Sequence, residues 1–481
     1  MPLPSLNSTE KLEFLGALFE GTTSSIAPLL LLESFLLGML CTFVPLGTYW
    51  FWIKSHSVPR APIISVPWIV LLIMITHWTL SLKQIMSIGS GRLIGISLST
   101  LDFASAGVDI ETYVNDGMVW KWLLTLVSET VLFGCSSSLF ACTAFVTLWQ
   151  SSSLRRAGCA LVIPIMAAVM YTVSLIHWAI TLRSYISLAD PSVLELSWFA
   201  PSVDVMWELA IVALLSINAV ISDSIVLWRM CIVWEKNRLI LTFAVILLVT
   251  TLALNITNIA GEGMYSLNTL GGTHGPARNG KDTEFHAMTY AGNNIGLSAA
   301  FTSLMSNACA TILVGIKALM HRKLFPKNFR SENGRTQVER VLELLVESGV
   351  VYTAIWLLYC ISFLRPITSQ NVDGVDSDDS SYLTTSAYLD AAMAQIAAIY
   401  PLIVILLVKL GKIHHLRGPV VLSGPLRGNE MPMVEARPVH AVETAITVTF
   451  EIDVERGLSG SALAPVENDD RASAGESEET K

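Results

Sequence analysis

The run 205–261, VMWELAIVALLSINAVISDSIVLWRMCIVWEKNRLILTFAVILLVTTLALNITNIAG, decides the fold. It divides into two apolar stretches that only Glu235, Lys236, Asn237 and Arg238 separate, with a turn between them. About 20 helical residues cross the roughly 30 Å hydrocarbon layer, and each stretch is long enough. A single helix over the whole run would be far too long, so a tight membrane hairpin is predicted. Open sheets cannot satisfy their edges in lipid, so the spans must be helices.

Stretches of the same kind continue on both sides. The predicted spans are 26–53, 63–86, 119–149, 158–182, 205–234, 239–261, 292–320, 341–365 and 386–410. The fold class is therefore all-α, a polytopic transmembrane helical bundle of nine spans in contact with the lipid bilayer. Composition agrees: 52% of residues are hydrophobic and 14% charged, where a soluble chain carries about 25% charged residues. Mean hydropathy is +0.57. The formal charge of −9 comes from acidic loops and an acidic tail, and no nucleic-acid partner is expected. All seven cysteines (41, 135, 142, 159, 231, 309 and 360) fall inside predicted spans, where buried cysteine behaves as a small hydrophobe. No CxxC or HExxH spacing occurs. Neither a metal site nor a cofactor is expected.

Charge sets the orientation, because Lys and Arg in short loops mark the cytoplasmic side. Lys54 and Arg60 follow the first span, Arg155 and Arg156 the third, Lys236 and Arg238 the fifth. Arg322, Lys323, Lys327, Arg330, Arg335 and Arg340 follow the seventh, and Lys409, Lys412 and Arg417 the ninth. The opposite loops hold Asp102, Asp109, Glu111 and Asp116, then Asp190 and Glu195, then Asp373, Asp376, Asp378 and Asp379. The N-terminus is expected outside and the C-terminus in the cytosol. Asn7-Ser8-Thr9 is an N-glycosylation sequon on the expected outer side. The first 25 residues lack the basic region and cleavage site of a signal peptide, so span one is expected to act as an uncleaved anchor. The plasma membrane is favoured over an internal membrane.

The first four spans contain one hairpin twice. Glu33-Ser-Phe-Leu-Leu-Gly38 opens one copy and Glu129-Thr-Val-Leu-Phe-Gly134 the other. The second helices end alike, at Ile75-Thr-His77-Trp78 and Leu175-Ile-His177-Trp178. Both copies share one orientation, unlike the inverted repeats of many transporters. Four segments follow: an outer N-terminus (1–25), an extra transmembrane hairpin with its outer loop (26–117), a seven-helix core (118–410) and a cytoplasmic, disordered acidic tail (411–481). Met118 lies at the boundary of the core.

Three motifs in the core stand out: Ile221-Ser-Asp223-Ser-Ile-Val-Leu-Trp228-Arg229; Leu344-Leu-Val-Glu347-Ser-Gly349 with Tyr352 and Trp356; and Ile399-Tyr-Pro401-Leu-Ile-Val-Ile-Leu-Leu-Val408. Together with His321-Arg322 after span seven, they make the chain from residue 118 resemble uncharacterised multi-pass membrane proteins of mushroom-forming basidiomycete fungi. The resemblance implies a seven-helix, receptor-like arrangement and no established activity. The extra hairpin departs from that seven-span form.

A charge at mid-bilayer costs several kcal/mol, so each ionisable residue in a span asks for an interior face and a partner. Asp223 lies roughly 16 Å from the inner end of its span, at 1.5 Å per residue. Arg229, six positions on, is about 240° around the helix and cannot pair with it. Asn307 on span seven matches the depth of Asp223. Glu347 matches that of Arg229, and an Arg229–Glu347 ion pair between helices is expected. Neither the Asp-Arg-Tyr nor the Asn-Pro-x-x-Tyr motif of rhodopsin-type receptors is present. In the outer halves of the repeat, Glu33 with His77 and Glu129 with His177 place a carboxylate level with an imidazole. Such a pair shares a proton or binds a polar ligand, and histidine titrates near neutral pH. A structural Glu–His hydrogen bond explains the same residues. Glu33, His77, Glu129, His177, Asp223 and Asn307 are the candidate ligand or proton site.

The outer loop 262–291 is rich in Gly and polar residues, and Gly271-Gly-Thr-His-Gly275 lacks the strand–helix context of a phosphate loop. The inner loop 321–340 is basic, as segments near anionic lipid are. That loop and the acidic tail are where a cytosolic signalling protein would bind. No catalytic signature appears and no enzyme activity is expected. The leading expectation is a receptor-like sensor with an outward pocket and unknown ligand; the alternative is a transporter or channel for a small solute or ion.

Overall fold

A computed structural model describes residues 8–54, 60–89, 110–151, 162–189, 201–235, 237–270, 290, 293–324, 337–364 and 385–416. Among the described residues there are nine helices: α1 (Ser8–Lys54), α2 (Arg60–Gly89), α3 (Ile110–Ser151), α4 (Val162–Ala189), α5 (Pro201–Val233), α6 (Arg238–Leu270), α7 (Asn294–Leu324), α8 (Gln337–Leu364) and α9 (Thr385–Leu416). Each contains a stretch long and apolar enough to cross a membrane. The protein is an all-α, multi-pass integral membrane protein. Asn7, residues 325–336 of the inner loop and the tail from 417 lie outside the described residues.

The helices outrun the apolar stretches that announce them. α6 continues to Leu270, so the first part of the predicted outer loop 262–291 is helical. Hydropathy ends a span where water begins, but the backbone ladder of a helix continues into water. Between α5 and α6 the chain does turn tightly, the Asn237 amide donating to the Trp234 carbonyl at 3.2 Å. Glu235 takes the left-handed conformation with φ 55°, as a helix C-terminus often requires. Asn237 then caps α6, its Oδ1 accepting from the Leu239 amide at 3.1 Å.

α3 to α9 pack on one another in chain order, and α9 closes the ring on α3. α9 also meets α4 and α5, and 67% of its most apolar 18-residue stretch is buried. The Ala-rich run Ala391-Ala-Met-Ala-Gln-Ile-Ala-Ala398 makes this possible, since small residues let helices approach closely in lipid. The main core joins α5 to α9 through Tyr352, Trp356, Tyr359, Met393 and Tyr400.

The N-terminal hairpin sits against α3 through α1. A Cβ at Gly38 would overlap the Val131 carbonyl oxygen, and one at Gly134 would overlap that of Phe35. Phe35 and Val131 hold equivalent places in the repeat, as do Gly38 and Gly134. Reciprocal contact of this kind is the signature of a twofold axis. The two copies of the duplicated hairpin thus cross as a local twofold pair, at Gly38-x-x-x-Thr42 and Gly134-x-x-x-Ser138. The Cys135 thiol completes the crossing by donating to the Gly38 carbonyl at 3.1 Å.

Candidate functional site

The repeat builds the same polar pair twice. In the first copy His77 Nδ1 meets Glu33 Oε1, and the Trp78 indole donates to Ser34 Oγ at 2.9 Å. In the second, His177 Nδ1 lies 2.7 Å from Glu129 Oε1, and Trp178 donates to Thr130 Oγ1 at 3.0 Å. Ser34 and Thr130 each bond their own helix one turn back, both at 2.7 Å. The indole therefore locks the register of each hairpin beside its histidine.

The surroundings separate the copies. The His177 and Glu129 side chains are 3% and 0% exposed. Those of His77 and Glu33 are 70% and 12% exposed. The difference is α9. Gln395 Nε2 donates to Glu129 Oε1 and to the Ser174 carbonyl, both at 3.2 Å. Ser174 Oγ donates back to Gln395 Oε1 at 2.6 Å. Glu129 Oε2 and His177 Nε2 remain buried with no hydrogen-bond partner. A carboxylate and an imidazole, clasped by a carboxamide and sealed from solvent, are equipped to hold a proton or a small polar group at those two atoms.

Asp223 and Asn307 form a distinct cluster on α5 and α7. Asn307 Nδ2 donates to Asp223 Oδ1 at 2.9 Å, and Ser303 Oγ to Oδ2 at 2.6 Å. Asp223 is fully buried. The six residues grouped by the sequence are thus three clusters, two on the repeat and one between α5 and α7. A further acid, Asp390 on α9, accepts from the Tyr359 hydroxyl and, at 3.1 Å, from the Tyr290 amide. Burial first, then the Asp223 and Asp390 charges, holds the Tyr290 phenol far above its usual value, so it stays neutral.

The expected Arg229–Glu347 ion pair does not form. Arg229 Nη2 donates to the Tyr400 hydroxyl at 2.6 Å, and Glu347 is exposed. α8 turns Gly349, Tyr352 and Trp356 inward, and Glu347, two residues before Gly349, lies about 200° around the helix from it. Tyr400 stacks in turn on Tyr352, centroids 4.0 Å apart, and Tyr352 bonds Ser222 at 3.0 Å. A cavity of ≈ 10 Å³ lies beside Arg229, lined by Val226, Ala310, Thr311, Val314 and Leu345. That is room for one water, next to guanidinium Nε and Nη1 atoms that have no protein partner.

Sequence reading missed Gln395, Ser174 and Asp390. Asp390 sits at the start of its span and passes for an interfacial residue. The signal for Gln395 is a lone carboxamide in an alanine-rich run, which marks close packing without naming the neighbour. Compared with known proteins, the chain matches no family model, no curated protein and no solved structure.

Proposed function

We propose that the protein is a receptor-like membrane sensor whose input is the Glu129–His177–Gln395 cluster. The observation that carries this reading is the sealed cluster itself, with Glu129 Oε2 and His177 Nε2 lacking partners at the junction of α3, α4 and α9. Protonation of Glu129, or a polar ligand on it, changes what Gln395 can donate to, and so loosens α9 from the repeat. α9 also carries Tyr400, five residues on, which holds Arg229 on α5. The same helix thus links the predicted outer half to the predicted inner half. A ligand-induced change needs differential affinity for two states, and a clasp that one proton can open supplies such a difference. The fungal resemblance, a cytosolic partner at the basic inner loop and a plasma-membrane location belong to the same proposal.

The test uses the full-length protein in nanodiscs, with a fluorophore pair at the inner ends of α7 and α9. Transfer efficiency is expected to change when the pH is lowered from neutral and to stay constant in Glu129→Gln. No change in the unsubstituted protein, or an unaltered response in the variant, would overturn the assignment. Proton or solute flux into proteoliposomes that depends on Glu129 would establish the transport alternative instead.

A further inference from the structure

α2 lays one flank on α1, where Leu71 and Ile85 are buried. The neighbouring flank carries Val66, Val70, Ile73, His77, Leu80 and Gln84, and all six are exposed. Their spacing is 4-3-4-3-4, the a/d seam of a parallel coiled coil. His77 and Gln84 lie seven residues apart, two turns along one line of the helix. An apolar stripe is at home in lipid, but ionisable groups in spans face protein or a water-filled cavity. The duplicate shows what is missing: His177 lies behind α9, whose Gln395 reaches its Glu129, while among the described residues His77 has the Glu33 contact and no such cover.

We propose that this flank of α2 docks a second copy of the chain, as a parallel α2–α2 pair about a twofold along the membrane normal. His77 would then face the partner's His77, and Gln84 the partner's Gln84. Copies inserted in one membrane share an orientation, so their α2 helices are necessarily parallel. In a parallel twofold pair each residue at an a position meets its own copy. That arrangement selects groups that both donate and accept, which a carboxamide does and a lysine does not; His77, with Nδ1 held by Glu33, brings Nε2 to the contact. Polar a-position residues also specify register and strand number. The α9 helix of a second copy cannot take this seat, because it is two-thirds buried in its own bundle. The chain already pairs its two hairpins about a local twofold at Gly38 and Gly134, and the proposed contact repeats that symmetry between chains. The inference is independent of the sensor reading.

Oxidative cross-linking of the full-length protein in dilute proteoliposomes tests it. Ile73→Cys and Leu80→Cys are expected to give several-fold more covalent dimer than Leu72→Cys and Thr79→Cys, which lie on the opposite flank, with the unsubstituted chain as baseline. Equal yields on both flanks, or none above baseline, would overturn the proposal. So would cross-links in native membranes only to a chain of different mass, which would point to a foreign helix. These variants leave His77 intact. A second measurement, photobleaching steps per particle, is expected to show several-fold fewer dimers for His77→Leu combined with Gln84→Leu; an unchanged dimer fraction would sink the role of the polar layers.

Discussion

Arg229 donates to a tyrosine because the carboxylate at its own depth points away. Depth along a helix follows from residue counts, but azimuth follows from which face the neighbours cover. Tyr400 presents its hydroxyl at 2.6 Å, whereas Glu347 lies on the uncovered side of α8. A double-mutant cycle separates the two arrangements. Arg229→Gln with Tyr400→Phe should show coupling of about 1 kcal/mol, in the range found for hydrogen bonds between membrane helices. Arg229→Gln with Glu347→Gln should be additive within about 0.5 kcal/mol. Both are read from thermal or chemical unfolding in detergent, and strong coupling in the second cycle would contradict the placement of Glu347.

The contact that orders the N-terminal half is between elements, the α1–α3 crossing. Lipid offers no hydrophobic drive between helices, so association rests on close packing and hydrogen bonds. Glycine at both crossing points permits that approach. Gly38→Ala and Gly134→Ala should each destabilise the protein by about 1–3 kcal/mol, because a Cβ must push a backbone carbonyl aside. Gly47, on the same helix, has nothing within 4 Å of its would-be Cβ. Gly47→Ala should therefore be neutral or stabilising by up to about 1 kcal/mol. Melting temperatures of the three variants decide the matter, and equal behaviour at Gly38 and Gly47 would mean the helices are further apart than described. Duplication of the hairpin was legible from Glu, Gly and His-Trp in matching order. That the copies cross on their own glycines was not, because no local pattern states which helix a glycine faces.

The nine candidate spans among the described residues are an odd number, which predicts termini on opposite sides of the membrane. With the loop charges as they fall, Asn7 should be glycosylated and a C-terminal tag should be cytosolic. Removal of glycan by a glycosidase, with protease protection of the tag in sealed vesicles, reads both at once. A tag exposed on the outer side would require an even number of crossings. At this scale α9 organises the ring: it packs on α3, α4, α5 and α8, and it holds the Glu129 clasp and the Arg229 anchor on one helix.

Local chemistry, repeated along the chain, determined the nine spans, the predicted orientation and the two Glu–His pairs. Hydropathy and loop charge are properties of a few neighbouring residues, and each Glu–His pair lies within one hairpin. Only the tertiary structure decided that the second pair is sealed by Gln395, 266 residues from Glu129, while the first faces outward. It also decided that Asp223 is held by both Ser303 and Asn307, and that Arg229 turns to Tyr400. The physical reason is shared: lipid is as apolar as the bundle core, so a span is apolar on every side. Its sequence therefore does not mark the face that meets a distant helix, and partners across the bundle are set by tertiary packing and the hydrogen bonds it brings together.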